Sequence, residues 1–536
     1  MTLLVVSTII AAALLFGGAV TLVLRRIATV PDTMNIAFNT AASRARQGWA
    51  RFWARDPFVQ AHRERTGIAF GTYDVPEGEQ IAVHFAPADF QRHTLVLGAT
   101  GTGKSSLLEA MAVAHLREQR PFALIDLHGD LFTRVAAWSL VQKPERLVLI
   151  DFTKPDLLPG WNPLLPIPGV DAGRQVEMLV GVLKRLYADE EAQSWAYGVK
   201  TTELLSHGLR ACIESAAPMN LADLPSFFLI PAVRQTTLAT ASEKTRAYFL
   251  TRYGKQEEMY VSAVLNKLEP FLGSVAVQRF LGSPRSDVDL FAAIARGDTV
   301  IVNLAKGYLG PTAEVVGRLL VNVLQMAALR REDVAPEKRT PYALLLDEAH
   351  VLAGAESGLE DFLVAARKYK VFVTLAAQGL SLFPPRTRPH LLGNTSRQFF
   401  FRLPFSEARM LAPDILEPLG SVRREQTRPN DAIVDPLLTP AEEIAWRTRE
   451  LASLPIGACY WYAKDRSYKA RRIRVLPPLD LPFTPAKLRS AINNQMARQK
   501  GLTAVEEPEV SVQSAMQAAI AERSARRARA AGIVEA

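Results

Sequence analysis

A glycine-rich loop at residues 98–105 holds the residue types best suited to chemistry. The segment Gly98-Ala99-Thr100-Gly101-Thr102-Gly103-Lys104-Ser105 fits the Walker A pattern G-x-x-x-x-G-K-[ST]. Glycines allow backbone N–H groups to close around phosphate oxygens at a helix N-terminus. Lys104 would place its charge on the β- and γ-phosphates, Ser105 would offer a hydroxyl to Mg²⁺, and Ser106 would complete the cradle. The loop predicts nucleoside-triphosphate binding.

The elements on either side of this loop are those that a Walker A loop requires. His93–Leu97 is an apolar run typical of a buried strand, and an apolar-periodic helix is expected from Ser106 to about Leu116. The bare pattern can occur by chance. A chance match is much rarer when a strand precedes the pattern and a helix follows it.

A pair of acidic residues ends a second apolar run. Tyr342–Leu346 predicts a buried strand, and Asp347-Glu348 follows it directly. Asp347 would belong to the Mg²⁺ shell, and Glu348 would polarise the attacking water as general base. An apolar run that ends in Asp-Glu is common by itself. Together with the phosphate loop in one chain, it predicts a Walker B strand.

Two further strand ends carry polar residues. The loop 126–130 follows a strand at Pro121–Ile125, and it would either face the ligand crevice of an open α/β sheet or form an ordinary turn. Gln378 follows the buried run Val371–Ala376, where an amide could hydrogen-bond the γ-phosphate or the attacking water. A glutamine in that position is usually inert when nothing else marks it.

The spacing of the motifs predicts an inserted domain. Lys104 and Asp347 are 243 positions apart, which is more than a compact nucleotide-binding core needs. Residues 171–290 show successive helical patterns with little β-alternation, so we expect an all-helical insertion of about 120 residues. Strand signals resume at Thr299–Leu304.

The N-terminus predicts a membrane anchor. Leu3–Leu24 contains no charged residue, and a helix of this length would span about 33 Å, close to a hydrocarbon core of about 30 Å. The alternative, a cleaved signal peptide, would carry its basic residues before the apolar stretch. Here Arg25 and Arg26 follow it, which predicts a retained helix with the rest of the chain in the cytoplasm. Arginines and tryptophans interleave at 44–55, as expected at lipid headgroups.

Composition excludes several protein classes. The 536 residues are 49% apolar and 22% charged, which rules out a mostly disordered, collagen-like or coiled-coil chain. Two cysteines cannot build a disulfide framework. Of the net charge of +9, residues 25–66 carry +5 and residues 487–536 carry +3. The body is therefore nearly neutral, and its charge by itself does not argue for DNA binding.

These motifs together resemble the type IV coupling proteins, membrane-anchored ATPases of conjugation and type IV secretion in the FtsK/HerA motor superfamily. The similarity covers about residues 80–480. It rests on the two Walker motifs and on the segments Ile125–Asp130, Leu265–Leu268, Asn303–Gly307, Ala366–Tyr369, Ala377-Gln378 and Phe401–Leu403. Many members have two membrane helices, whereas this chain shows one.

The resemblance implies an α/β fold with a RecA-like P-loop ATPase core, an all-helical insertion domain and an N-terminal transmembrane helix. The expected parts are a transmembrane anchor at 1–26, a basic juxtamembrane linker at 27–78, a motor at 79–170 and 291–484 interrupted by the insertion at 171–290, and a basic, partly disordered tail at 485–536. It also implies ATP and Mg²⁺ as ligands and a homo-hexamer in the inner membrane with a cytoplasmic motor.

The resemblance further assigns roles to three side chains. Gln378 would be the sensor glutamine that reports hydrolysis. Arg367 would reach a neighbouring subunit's site as an arginine finger, although a solvated cation at a helix end is the simpler interpretation. Arg92, twelve positions before Lys104, matches a second arginine of this kind.

Three functions remain open at this point. The first is a motor that delivers DNA, or a DNA–protein conjugate brought by relaxase or accessory proteins, to the components of a type IV secretion channel. The second is a HerA-like helicase or translocase fused to an anchor. The third is a receptor that uses ATP to dock protein cargo.

Overall fold

Eleven strands form one sheet in the described part of the chain. The computed structural model describes residues 56–63, 67–75, 79–167, 169–183, 195–352, 359–416, 438–466 and 470–500. The strands are β1 Ala69–Asp74, β2 Gln80–His84, β3 Thr94–Leu97, β4 Phe122–Asp126, β5 Leu147–Asp151, β6 Thr299–Asn303, β7 Tyr342–Leu346, β8 Val371–Ala377, β9 Arg397–Phe400, β10 Ala458–Ala463 and β11 Arg471–Val475. Their order in the sheet is β2-β1-β11-β10-β9-β3-β8-β7-β4-β6-β5.

Seven of these strands, from β9 to β5 in the sheet order, pair in parallel. Most are uninterrupted apolar runs, and every residue of β3, β4, β5, β7 and β8 is buried. Parallel strands need this composition because helices cover both faces of the sheet. The carboxyl ends of all seven strands meet at one edge, which positions the candidate site.

Helices cover both faces of the sheet. Their bounds are α1 Pro57–Arg63, α2 Lys104–Arg117, α3 Asp130–Gln142, α4 Ala172–Leu183, α5 Trp195–Glu214, α6 Leu224–Leu229, α7 Pro231–Ala239, α8 Glu243–Thr251, α9 Lys255–Leu272, α10 Val275–Leu281, α11 Leu290–Arg296, α12 Lys306–Leu309, α13 Thr312–Leu329, α14 Ala349–Leu352, α15 Leu359–Ala366, α16 Thr387–Asn394, α17 Phe405–Ile415, α18 Pro440–Ser453 and α19 Pro485–Gln499. One apolar core lies under α2, α3 and α19, and a second lies under α13 and α15.

Between β5 and β6, the described chain forms the eight helices α4–α11 and contains no strand. Leucine, phenylalanine and valine side chains of these helices belong to the same apolar core as α13. Asn162, between β5 and α4, links this segment to two later turns, because its side-chain amide donates to the carbonyl of Met219, between α5 and α6, and to that of Pro284, between α10 and α11.

The structure corrects the expected linker at 27–78. Residues 57–63 and 67–74 belong to the folded body, since α1 packs against β2, and β1 pairs with both β2 and β11. Gly71 lies inside β1, where a Cβ atom would come 2.9 Å from the carbonyl oxygen of Arg474. A glycine weakens the strand pattern in the sequence. It is required here because the neighbouring backbone approaches so closely.

The tail expected from residue 485 is also corrected at its start. Helix α19 packs on β5 and α3, and it buries Leu488, Ile492 and Met496, which are spaced four residues apart. This i, i+4, i+8 stripe is a helical signal that the sequence interpretation missed. Residues 501–536 lie outside the described residues.

The expected membrane helix at 3–24 lies outside the described residues. Within them, one segment, Thr312–Glu332, is long and apolar enough to cross a membrane. However, 78% of its most apolar window is buried inside the fold. We therefore interpret this segment, which contains α13, as a core helix against the sheet.

Candidate functional site

The phosphate loop connects β3 to α2, as the sequence predicted. Gly101 and Gly103 have φ angles of +73° and +117°, which side chains other than glycine rarely adopt. Gly98 leaves no room for a side chain, because an added Cβ would lie 2.5 Å from the Cβ of Phe401. Helix α2 begins at Lys104, two residues before the expected start, so Ser105 and Ser106 lie in its first turn.

Lys104 points across the inside of the loop. Its Nζ donates hydrogen bonds to the carbonyl oxygens of Gly98 at 2.7 Å and Ala99 at 3.2 Å. The Thr102 hydroxyl also donates to Ala99 O, at 2.7 Å, while Thr100 is exposed. Burial lowers the pKa of Lys104, and the charges of Glu348 and Asp347 oppose that shift. The loop thus holds its only lysine beside the two predicted Walker B acids.

Strand order brings the Walker motifs together. Strand β8 lies between β3, which leads into the phosphate loop, and β7, which ends at the acidic pair. The three strand ends therefore present Lys104, Gln378 and Asp347-Glu348 at one edge, although they are far apart in the sequence. The structure brings the two Walker motifs and Gln378 together at this edge.

Asp347 is a buried acid in an acidic environment. Burial raises its pKa to about 7, with further contributions from the charges of Asp126 and Glu348 that Lys104 partly offsets. Its Oδ1 accepts a hydrogen bond from the Glu348 backbone N–H at 3.1 Å. A cation bound close to this buried carboxyl group would favour its ionised form.

Glu348 and Gln378 contact each other directly. The Gln378 Nε2 atom donates to Glu348 Oε1 at 3.1 Å. Glu348 has a φ angle of +50°, a conformation that costs energy for a residue with a side chain. Strained residues of this kind cluster at functional sites. The link joins the predicted base to the predicted sensor.

The loop 126–130, after β4, forms a turn and also contributes charge to the candidate site, so both interpretations left open by the sequence apply. Asp126 is buried, and its carboxylate accepts hydrogen bonds from the backbone N–H groups of His128 at 2.9 Å and Phe132 at 2.8 Å. It therefore anchors the turn before α3, while its charge acts on Asp347. Asp130 is exposed in the first turn of α3.

Two residues at this edge, Gly457 and His350, were not predicted as functional, whereas Arg402 lies in one of the segments that carry the resemblance. Arg402 and Gly457 hold the phosphate loop from the side, because Ala99 N–H donates to Arg402 O at 2.8 Å and Gly457 N–H donates to Thr102 O at 2.9 Å. Gly457 precedes β10, and no motif in the sequence marks it. His350, two residues after Glu348, also lies beside the acidic pair.

The two candidate finger arginines lie at the opposite edge of the sheet. Arg92 directly precedes His93 and β3, and its Nε atom pairs with Asp465 Oδ2 at 3.2 Å. Arg367 is exposed and opens a 3₁₀ turn, Arg367–Tyr369, that leads into β8. Strand β8 has seven residues and therefore extends roughly 20 Å between Arg367 and Gln378. The structure brings neither arginine to the phosphate loop of its own chain.

The donor set suits Mg²⁺ bound together with phosphate. No group of three or more His, Cys, Asp or Glu side chains arranged to hold a metal ion is found among the described residues. Mg²⁺ usually needs only one or two protein ligands beside phosphate oxygens and water. Ser105, exposed at the start of α2, and Asp347 carry the hydroxyl and carboxylate oxygens that such a site uses.

Comparison with known proteins gives structural matches only. No protein-family model and no curated protein sequence matches the chain. The bacterial conjugative coupling protein TrwBdeltaN70, in its unbound monoclinic form, aligns with a TM-score of 0.53 and 18% identity, over 78% of this chain and 90% of that chain. The plasmid coupling protein TrwB in complex with ADP and Mg²⁺ aligns with a TM-score of 0.50 and 17% identity, over 78% and 90%.

A third match concerns the same protein with a different ligand. TrwB in complex with the non-hydrolysable ATP analogue ADPNP aligns with a TM-score of 0.53 and 18% identity, over 80% of this chain and 93% of that chain. The matches extend over most of both chains, and they confirm the resemblance expected from the motifs. The chain therefore shares the P-loop ATPase fold of the conjugative coupling protein TrwB.

Proposed function

We propose that this protein is a membrane-anchored, ATP-driven motor that moves DNA, or a DNA–protein conjugate, towards a type IV secretion channel. The observation that carries the proposal is the edge of the sheet where Lys104, Asp347, Glu348 and Gln378 converge on three adjacent strands. A motor needs a hydrolytic site that is connected to moving parts, and the Gln378–Glu348 hydrogen bond supplies such a connection.

The residues divide the chemistry among themselves. Backbone N–H groups of residues 98–106 and the Lys104 ammonium bind the phosphates of ATP. Ser105 and Asp347 would hold Mg²⁺, which would partly neutralise the negative charge of the phosphates when bound. Glu348 accepts a proton from the attacking water, and Gln378 keeps its carboxylate in place.

The active unit in this proposal is a homo-hexameric ring. Arg92 and Arg367 lie at the edge of the sheet opposite the phosphate loop, so each could serve only the site of a neighbouring subunit. An arginine supplied in trans stabilises the charge that develops during phosphoryl transfer. This placement supports a ring and is what an arginine finger requires.

Residues 3–24 anchor the ring in the inner membrane, and Arg25 and Arg26 keep the motor on the cytoplasmic side. A reporter fused after residue 66 should register in the cytoplasm. A signal from outside the cytoplasm would overturn this orientation.

The coupling-protein role is favoured over the two alternatives by the likeness to TrwB along most of the chain. DNA, the channel components and the hexamer come from the resemblance and not from charge, because residues 67–486 carry a net charge of only +1. A HerA-like translocase with an anchor would share the hydrolytic site. A receptor for protein cargo would share it as well, but DNA would not stimulate it.

The test is the ATPase rate of the detergent-solubilised full chain without DNA, with single-stranded DNA and with double-stranded DNA. A motor on DNA should hydrolyse ATP faster when DNA is present. A rate that DNA leaves unchanged while purified protein cargo raises it would favour the receptor. A chain that does not hydrolyse ATP under any of these conditions would contradict the proposal.

A further inference from the structure

His350 lies beside the catalytic carboxylate without a role in the assignments above. It stands in the short helix α14, and its Nδ1 atom is 3.5 Å from Glu348 Oε2. Both atoms are inaccessible to solvent, and neither has a hydrogen-bond partner within the part of the chain that the structure describes. Two buried polar atoms of complementary type therefore face each other just beyond hydrogen-bond geometry.

Such a pair indicates a hydrogen bond that forms during ATP turnover. A buried carboxylate oxygen without a donor carries an unfavourable desolvation cost, which an N–H group a few tenths of an ångström closer would remove. The other oxygen of the same carboxylate already accepts from Gln378 at 3.1 Å. A donor at Oε2 would hold the carboxylate at both ends and stop its rotation.

We propose that His350 is a positioning residue that donates its Nδ1–H to Glu348 Oε2 and, together with Gln378, fixes the plane of the general base. This inference rests on the proposed function of the site. Each carboxylate oxygen keeps a second lone pair, so Glu348 can still accept a proton from water. His350 itself takes no proton in this role.

The surroundings of His350 favour the neutral ring that this role needs. Burial lowers its pKa, and the positive charges of Lys306 and Lys104 act in the same direction. Glu348 and Glu314 oppose the shift, but Glu314 is itself paired with Lys306 at 3.0 Å. The ring of Phe383 lies edge-on at a centroid distance of 6.2 Å. A neutral ring with its proton on Nδ1 can donate towards Glu348.

The experiment compares three substitutions in the full chain. His350→Asn can place its amide nitrogen close to the position of Nδ1, whereas His350→Gln reaches further and keeps only size and polarity. His350→Ala removes the side chain. We would measure kcat and KM for basal ATP hydrolysis, the Kd for ADPNP, and the melting temperature of each variant. His390→Ala, at an exposed position on α16, is the matched control.

The positioning role predicts a loss confined to turnover. His350→Ala should lower kcat by about tenfold to hundredfold, the usual worth of a hydrogen bond to a charged group, while the Kd for ADPNP stays within about twofold. His350→Asn should recover most of the rate, and His350→Gln should not. If His350→Ala does not fold, the comparison of the Asn and Gln variants decides.

Three outcomes would overturn the inference. These are an unchanged kcat in His350→Ala, equal losses in the Asn and Gln variants, or a loss of kcat that only follows a loss of ADPNP binding. Because the readout is basal hydrolysis, the inference can fail while DNA stimulation succeeds, and DNA stimulation can fail while the inference holds. A wild-type chain without ATPase activity would instead refute the proposed function.

Discussion

At the scale of single residues, the site depends on burial of opposite charges. Lys104 and Asp347 are both buried, at 6% and 7% exposure, and the pKa of each is shifted towards its neutral form by burial. Each charge lowers the cost of the other. A substitution that removes one of these charges should therefore impair either nucleotide binding or hydrolysis, according to the step in which that charge takes part.

The first prediction separates nucleotide binding from hydrolysis. Lys104→Ala should abolish binding of ADPNP, because the phosphates lose the charge inside the loop. Glu348→Gln should keep binding and lose turnover, because only the base is removed. Equilibrium binding and steady-state ATPase assays measure both. Hydrolysis at the normal rate in Glu348→Gln would remove that residue from the mechanism.

The second prediction concerns the shape of the phosphate loop. Gly98→Ala should abolish nucleotide binding, since its Cβ would lie 2.5 Å from Phe401 Cβ and 2.9 Å from Thr102 Oγ1. Gly181→Ala, in the last turn of α4, is the matched control, because an added Cβ would have no atom within 4 Å apart from the backbone of its own helix and its chain neighbours. That control should raise stability by up to about 1 kcal/mol and leave binding intact. Equal binding by the two variants would show that the loop is not packed this tightly.

At the scale of elements, α19 covers the outermost strand of the sheet, β5. Strand β5 is the last strand, and an unpaired edge can recruit other chains. The Gln499 side chain imitates a neighbouring strand, because its Oε1 accepts from Leu149 N–H at 2.9 Å and its Nε2 donates to Leu149 O at 3.1 Å. Gln495, one turn earlier, donates to Leu147 O at 2.7 Å.

The third prediction follows from this edge contact. Gln499→Ala should lower the free energy of unfolding by about 1–3 kcal/mol, because it leaves a backbone donor and acceptor of β5 without partners. Chemical denaturation followed by circular dichroism measures the change. Ser490→Ala, an exposed polar residue on the same helix, should change stability little. Equal effects of the two substitutions would mean that the glutamine does not complete the edge.

The fourth prediction is a pH dependence that originates in α2. His115 packs between the rings of Phe90 and Phe122, and burial lowers its pKa to about 3 from an ordinary value of 6.5. Between these two pH values the unfolded chain binds a proton that the folded protein does not. The stability is therefore complete above pH 6.5 and decreases as the pH falls, by about 2 kcal/mol between pH 7 and pH 5.

His115→Leu should make the pH profile of the unfolding free energy shallower over that range. The equivalent change at the exposed His390 should leave the slope unchanged. Part of the slope should remain in the His115 variant, because burial also lowers the pKa of His93 to about 4. A profile identical to that of the wild type would show that His115 is not buried in its neutral form.

At the scale of the whole molecule, the parallel strands separate two sets of candidate residues. The carboxyl ends of the strands carry the candidate hydrolytic residues, and the amino ends carry Arg92 and Arg367. In the proposed ring, these arginines would reach only the site of a neighbouring subunit. Arg92 is already paired with Asp465, whereas Arg367 is exposed, which makes Arg367 the more available of the two.

The fifth prediction tests action between subunits by mixing two inactive variants. Glu348→Gln subunits lack the base and keep the finger, whereas Arg367→Ala subunits lack the finger and keep the base. Loss of a finger costs roughly 10³–10⁵ in rate in well-studied NTPases. In mixed rings, an Arg367→Ala site that faces a Glu348→Gln neighbour has both parts and should regain ATPase activity. Mixed rings that bind ATP but stay inactive would exclude a role of Arg367 in trans.

The sequence by itself determined the local parts of this protein. The phosphate loop, the Walker B pair and the strands that lead into them were all predicted, because glycine placement and uninterrupted apolar runs are local signals. Five of the seven parallel strands, β3, β4, β6, β7 and β8, were predicted within one residue of their bounds. Strand β1, with Gly71 in its middle, and strands β10 and β11 were not predicted, since their pairing depends on distant partners.

Only the tertiary structure decided which of these parts meet. The order of parallel strands is set by crossovers, and the one between β5 and β6 is more than a hundred residues long, so no local pattern reveals that β8 lies between β3 and β7. That order creates the Gln378–Glu348 hydrogen bond, and the shared direction of β3 and β8 places Arg92 and Arg367 at the amino ends of these strands, away from the phosphate loop. Contacts between residues this distant in sequence depend on packing of the whole sheet.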